Sequence, residues 1–167
     1  MNLESLLFRA EDYEPARKYL TRRYVSDINI RRLYAHDNLD QDIPKKLFKN
    51  QTETDDEGII WLNEGVESKH GQRVPLGTDP RVVIPIKNQA GELIGIQTRS
   101  IDPLLGKGMR YQGIKYKDEP QIFNIENIDE SKTIFVVEGE FCAMQLPNAV
   151  ATIIWEDLPE RWKDNAI

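Results

Sequence analysis

The sequence predicts an α+β fold, with a helical and β-hairpin start followed by a single β-α-β unit near its carboxyl end. Three observations carry this. Helix-start signals cluster before Asn50, at Pro15, Ser26 and Asp42. Two β-rich runs between Arg81 and Thr98 flank a polar turn. A continuous apolar run, Ile134-Phe135-Val136-Val137, ends abruptly in Glu138-Gly139 and leads into an amphipathic segment.

Taken in order, Pro15 suits the first turn of a helix, where a missing N–H costs nothing, and residues 16–24 follow with good helix formers. Ser26 offers a cap for a second helix running to about Tyr34, and Asp42-Ile43-Pro44 repeats the cap-plus-proline signal for a short third one. Tyr19, Leu20, Tyr24, Ile28, Ile30 and Leu33 are the expected buried sides. Residues 50–57 read as a polar loop and 58–62 as a strand. Residues 67–79 read as a second polar loop, in which His70 has no second ligand nearby and counts as a surface residue. Residues 81–86 and 93–98, joined by a turn containing Gly91, predict a β-hairpin. Pro85 removes a ladder donor, so its strand is expected at an edge or beside a bulge. A loop over 102–109 leads to Arg110-Tyr111-Gln112. Residues 127–132 are a polar linker. Residues 133–137 then predict a buried parallel strand, 140–146 a helix and 148–154 a second buried strand, with the usual right-handed crossover.

The chain has 167 residues, which suits one domain or a domain with a small satellite, and its 40% apolar content supports an ordinary core. No stretch is apolar enough to span a bilayer and no charged-then-apolar leader opens the sequence, so a cytoplasmic protein without a membrane partner is expected. One cysteine, Cys142, excludes an internal disulfide, and no Cys/His cluster has zinc spacing. A net charge of −6 argues against nonspecific nucleic-acid binding over the whole surface. Its distribution is uneven. Residues 15–50 hold nine Lys/Arg against four Asp, and residues 99–117 hold five Lys/Arg against Asp102. A polyanion partner is thereby confined to particular places, although the first stretch also reads as a solvated helical face.

Glu138 is the strongest candidate for chemistry, because ligand and metal sites of open α/β sheets lie at the carboxyl ends of strands. Acids are also favoured at helix starts by the backbone dipole, so position alone leaves a capping role open. The ordered set Arg81-Val82-Val83-Ile84-Pro85-Ile86, Gly91, Ile94-Gly95-Ile96-Gln97-Thr98-Arg99, Arg110-Tyr111, Ile122-Phe123-Asn124 and Val136-Val137-Glu138-Gly139 resembles the catalytic core of toprim-containing DNA primases. The likeness is to the bacterial DnaG-type enzymes and, more closely, to those of tailed phages. It covers roughly residues 15–162.

The resemblance implies an N-terminal primase subdomain over residues 1–130 and the incomplete start of a toprim domain over 131–167. It implies synthesis of short RNA primers on a single-stranded DNA template from ribonucleoside triphosphates, by nucleotidyl transfer dependent on Mg²⁺ or Mn²⁺. Glu138 matches the toprim glutamate, which is both the catalytic acid and a metal ligand. Arg99 and Arg110 match basic residues that touch nucleotide phosphates or template. Lys107, Lys115 and Lys117 are weaker candidates of the same kind, and Tyr111 and Tyr116 are placed to stack on bases. A replicative helicase is a further expected partner.

Two departures qualify the match. The family's Asp four residues after the Glu is Cys142 here, expected to pack as a small hydrophobe. The Asp-x-Asp metal pair of a later strand is missing, and Glu156-Asp157 does not reproduce its spacing. The zinc ribbon that precedes cellular primase cores is missing as well. The expectation is therefore a truncated core with an incomplete metal site, and the alternative is a degenerate toprim protein that binds DNA or a replisome partner without catalysis.

Overall fold

Long-range pairing gathers five of the strands into one sheet. The computed structural model describes residues 2–37, 40, 42–49, 52–62, 75–102, 104, 110–152 and 154–163. Strands β1 (Phe8–Arg9), β2 (Tyr34–His36), β5 (Arg81–Lys87), β6 (Leu93–Ser100) and β7 (Tyr111–Lys115) form an antiparallel sheet in the order β1-β2-β5-β6-β7. The β5–β6 hairpin is its spine. Asn88 accepts the backbone N–H groups of Ala90 and Glu92, and Gly91 takes φ +79° to close the turn. Pro85 behaves as its chemistry requires. Although β5 is central in strand order, β2 pairs only with Arg81, Val82 and Val83, so Pro85 lies beyond that ladder, and a register shift follows at Ile86/Lys87.

Both faces of this sheet are covered. Val82, Ile84 and Ile86 pack with Ala16 and Leu20 of helix α1 (Glu14–Arg22) and with Ile30 of α2 (Asp27–Ile30). On the opposite face Val83 and Ile96 pack with Leu47 of α3 (Asp42–Leu47), Phe48, and Ile60 of the small hairpin β3 (Thr52–Thr54)–β4 (Ile60–Leu62). The remaining unit is β8 (Phe135–Val137), α4 (Glu140–Ala143) and β9 (Ala149–Ala151), followed by α5 (Glu160–Lys163). β8 and β9 pair in parallel, with Phe135, Val136 and Val137 opposite Ala149, Val150 and Ala151. Phe141, Ala143, Met144, Ala149 and Ala151 join the same core as Leu20 and Ile84, which fastens this unit to the sheet. Asn124, in the left-handed region at φ 71° just after Phe123, which bridges to Ala151, donates to Ala149 O and accepts from Arg32, a polar tie between the turn after α2 and β9.

Several expectations need correction. The second helix stops at Ile30, because Tyr34, Ala35 and His36 are drawn into pairing with β1 and β5. With only one turn of α2, Ile28 is 75% exposed, and Tyr24, at φ 60° after α1, is 85% exposed; neither is core. Thr52–Thr54 is a strand, not a loop. β8 is half-buried rather than buried, since it has a paired neighbour on one side only among the described residues. α4 ends at Ala143, three residues short of the expected Leu146, and Cys142 is exposed on it rather than packed. His70 lies outside the described residues.

Candidate functional site

The β6–β7 register builds one polar face. Gly95 lies opposite Lys115, Gln97 opposite Gly113 and Arg99 opposite Tyr111, and side chains of such directly paired residues share a face. Arg99 is only 7% exposed. Its Nε donates to the Tyr19 hydroxyl at 2.9 Å, and its guanidinium lies 4.3 Å from the centre of the Tyr111 ring. α1 contributes a second layer. Arg23, one turn after Tyr19, stacks over the Tyr19 ring at 5.3 Å and the Phe141 ring at 5.2 Å, and those two rings meet edge to face. Two arginines and three aromatic rings thus join α1, the sheet and α4. Tyr111 titrates above its ordinary value, chiefly through burial; Glu140 adds to the shift, while Arg99 and Arg23 oppose it.

Glu138 sits just past the end of β8, exposed, with Gly139 as the turn into α4. Glu140, the first residue of α4, is the less obvious acid. Burial pushes its carboxyl above the usual carboxylate range, offset in part by a hydrogen bond from its own backbone amide. It lines a cavity of about 290 Å³ together with Gln97, Gly113 and Lys115 from the sheet face.

No protein-family model matches the chain, and no curated protein is significantly similar to it in sequence. Solved structures are similar. A DnaG primase catalytic domain bound to single-stranded DNA has a TM-score of 0.54 at 18% identity, covering 84% of this chain and 48% of that one. The Aquifex aeolicus primase, solved with its zinc-binding and RNA polymerase domains, has a TM-score of 0.56 at 19% identity, covering 84% of this chain and 37% of its own. The fold is that of the DnaG primase catalytic core. A DNA primase domain from Pseudomonas aeruginosa agrees, with a TM-score of 0.54 at 21% identity over 89% of this chain and 51% of that one. The chain therefore spans about half the length of these primase structures, or less.

Within this DnaG-type fold the predicted site residues separate. Arg99, Tyr111 and Lys115 share the polar face, and Glu138 precedes the Gly139 turn into α4, whose Glu140 and Phe141 pack beside that face. Arg110 immediately precedes β7, and its carbonyl accepts from the buried Arg81 at 3.1 Å. Lys117 is at the hairpin end of the sheet, 2.8 Å from Glu92 and 3.9 Å from Glu119, so acids already occupy it. Lys107 lies outside the described residues. Tyr116 is not a stacking platform: it packs in the opposite core, donates to Leu47 O at 2.7 Å, and burial drives its hydroxyl far above the ordinary value. Part of the basic stretch over residues 15–50 is paired with acids, with Lys18 on Glu14, Arg31 on Glu11 and Arg32 on Glu126.

Sequence reasoning missed Tyr19, Arg23, Gln97 and Glu140. The i, i+4 spacing of Tyr19, on α1, and Arg23, the residue that caps its carboxyl end, is a signal that would have found that pair. The residues present do not fit a divalent cation by themselves. No group of three or more His, Cys, Asp or Glu capable of holding a metal exists among the described residues, and the acid nearest Glu138 in sequence, Glu140, is a desolvated carboxyl on the cavity wall.

Proposed function

We propose that this chain is part of a primase-type RNA-polymerase core, with residues 1–130 and 131–167 as its two portions, and that it holds single-stranded DNA and ribonucleotides on the β6–β7 face. The observation that carries this reading is the cross-strand pair Arg99–Tyr111 on one face of a DnaG-type sheet, continued by Lys115 and adjoined by the β8–α4 turn that bears Glu138. Tyr111 is 40% exposed, enough to stack on a base, while the Tyr19 hydroxyl fixes the Arg99 guanidinium against it. Lys115 adds an exposed charge for the phosphate backbone. Glu138 supplies one carboxylate to nucleotidyl transfer. The described residues do not complete a metal site around it, so carboxylates from elsewhere are required for primer synthesis.

Template-dependent ribonucleotide incorporation by the protein in its full native reading frame tests the catalytic part. Glu138→Gln is expected to abolish incorporation while leaving DNA affinity intact; equal incorporation by both proteins would remove Glu138 from the reaction. The binding part is tested by titrating single-stranded DNA over a range of salt. Lys115→Ala is expected to reduce the slope of log K against log salt by about 0.7, the share of one phosphate contact. The same missing carboxylates favour a second reading, a primase-type module that binds DNA or a replisome partner without catalysis. Incorporation by the wild-type protein decides against it.

A further inference from the structure

The cavity beside Glu140 shares Lys115 with the proposed strand-binding face, but its other lining residues have no role in that face. Its floor is made by two carboxamides laid on the sheet at glycines. A Cβ on Gly113 would overlap the Gln97 carboxamide, and a Cβ on Gly95 would overlap that of Gln121 and crowd Ile114 O. The strands are therefore glycine where the amides lie. Phe123 forms an apolar wall, Glu140 a polar one, and Lys115 lies on the exposed side.

We infer that this cavity takes the heterocyclic base of a nucleotide. A carboxamide presents both a donor and an acceptor, so the two amides of the lining match the mixed edge of a base. A volume of about 290 Å³ lies at the small end of ligand sites and suits one base rather than a whole nucleotide. Amide planes and the Phe123 ring give flat surfaces for a planar ring. A bare cation is a poorer occupant, because Glu140 is the single carboxylate among the described lining residues. Gln97 is two residues before Arg99 on β6, and Gly113 two residues after Tyr111 on β7, so the pocket continues the proposed strand-binding face.

The inference rests on the nucleic-acid reading of that face, and the two can fail separately. The bound base belongs either to a DNA strand or to a free ribonucleotide. Two titrations of the intact protein distinguish them: a single-stranded DNA decamer against a decamer of abasic sugars, and a ribonucleoside monophosphate against ribose 5-phosphate. In at least one pair the base-bearing ligand is expected to bind roughly tenfold tighter. Gln97→Ala and, independently, Gln121→Ala are expected to reduce that ratio to about threefold or less and leave the base-free ligand unchanged. Thermal melting confirms that each variant folds. A changed ratio for the decamer assigns the pocket to a template base, and a changed ratio for the mononucleotide assigns it to the incoming nucleotide. Binding whose base dependence survives in both folded variants overturns the pocket and leaves the strand-binding face standing. If no ligand of either pair binds, both readings fall.

Discussion

The five-stranded sheet and the β8-α4-β9 unit solve the same problem in opposite ways. The sheet carries its own stability. β5 and β6 are seven and eight residues long, and Val82, Val83 and Ile84 have no exposed surface. The β8-α4-β9 unit has three-residue strands, a four-residue helix and a half-buried β8. A two-stranded parallel sheet of that length does not stand by itself. It is held because Phe141, Ala143, Met144, Ala149 and Ala151 insert into the core that the sheet and α1 already form. Yet this dependent unit carries Glu138 and Glu140. The half with long strands supplies the proposed binding face, and the acids reach it through a joint of a few side chains.

That joint is where the comparison is most easily broken. Phe141 is 4% exposed and touches both Tyr19 and Arg23. Phe141→Ala is expected to cost about 3–5 kcal/mol in chemical denaturation, as for other buried aromatic truncations. Hydrogen exchange should show the β8 and β9 amides opening before those of β5 and β6. A loss below about 1 kcal/mol would mean that the unit is stable without its anchor. The next effect sharpens the comparison from the sheet side. Tyr19→Phe removes one hydrogen bond to a nearly buried guanidinium and is expected to cost about 1.5 kcal/mol, the lower end for bonds to charged groups. Single-stranded DNA affinity should fall with it, since Arg99 loses the contact that orients it against Tyr111. Unchanged affinity would separate Arg99 from the binding face.

The same contrast explains what could be read in the sequence. The β5–β6 hairpin is legible because its strands are long and β-rich and its turn is closed by local chemistry at Asn88 and Gly91. Glu138 is legible because an apolar run stops at it. Tyr34 is not legible as strand, because its pairing with Val83 is a long-range fact that the local helix signal after Ser26 conceals. Thr52–Thr54 escapes because a short strand with polar, largely exposed side chains carries no alternation to detect. The Tyr19–Arg99 contact joins residues 80 positions apart, and nothing in either neighbourhood announces the other. Cys142 fails for a related reason: a four-residue helix has too little length for its buried face to be fixed by periodicity.

The smallest effect concerns Glu140 and depends on pH. Burial raises its folded-state titration above the ordinary 4.5. The stability it contributes by staying neutral is therefore complete below 4.5 and is lost as the pH rises through the folded-state value, because the ionised form is held out of water. Glu140→Gln keeps the shape and never ionises. The variant is expected to melt higher than the wild type at neutral pH, with the difference closing as the pH is lowered through 4.5. A difference independent of pH would place the carboxyl in water rather than against the cavity. A pH-dependent difference would mean that the dependent unit keeps a destabilising acid next to the sheet face, a cost that a bound ligand can offset by hydrogen-bonding the neutral carboxyl. Repeating the melts with single-stranded DNA present then joins the two halves of the comparison. If Glu140 faces the ligand, DNA should raise the melting temperature of the wild type more than that of the variant.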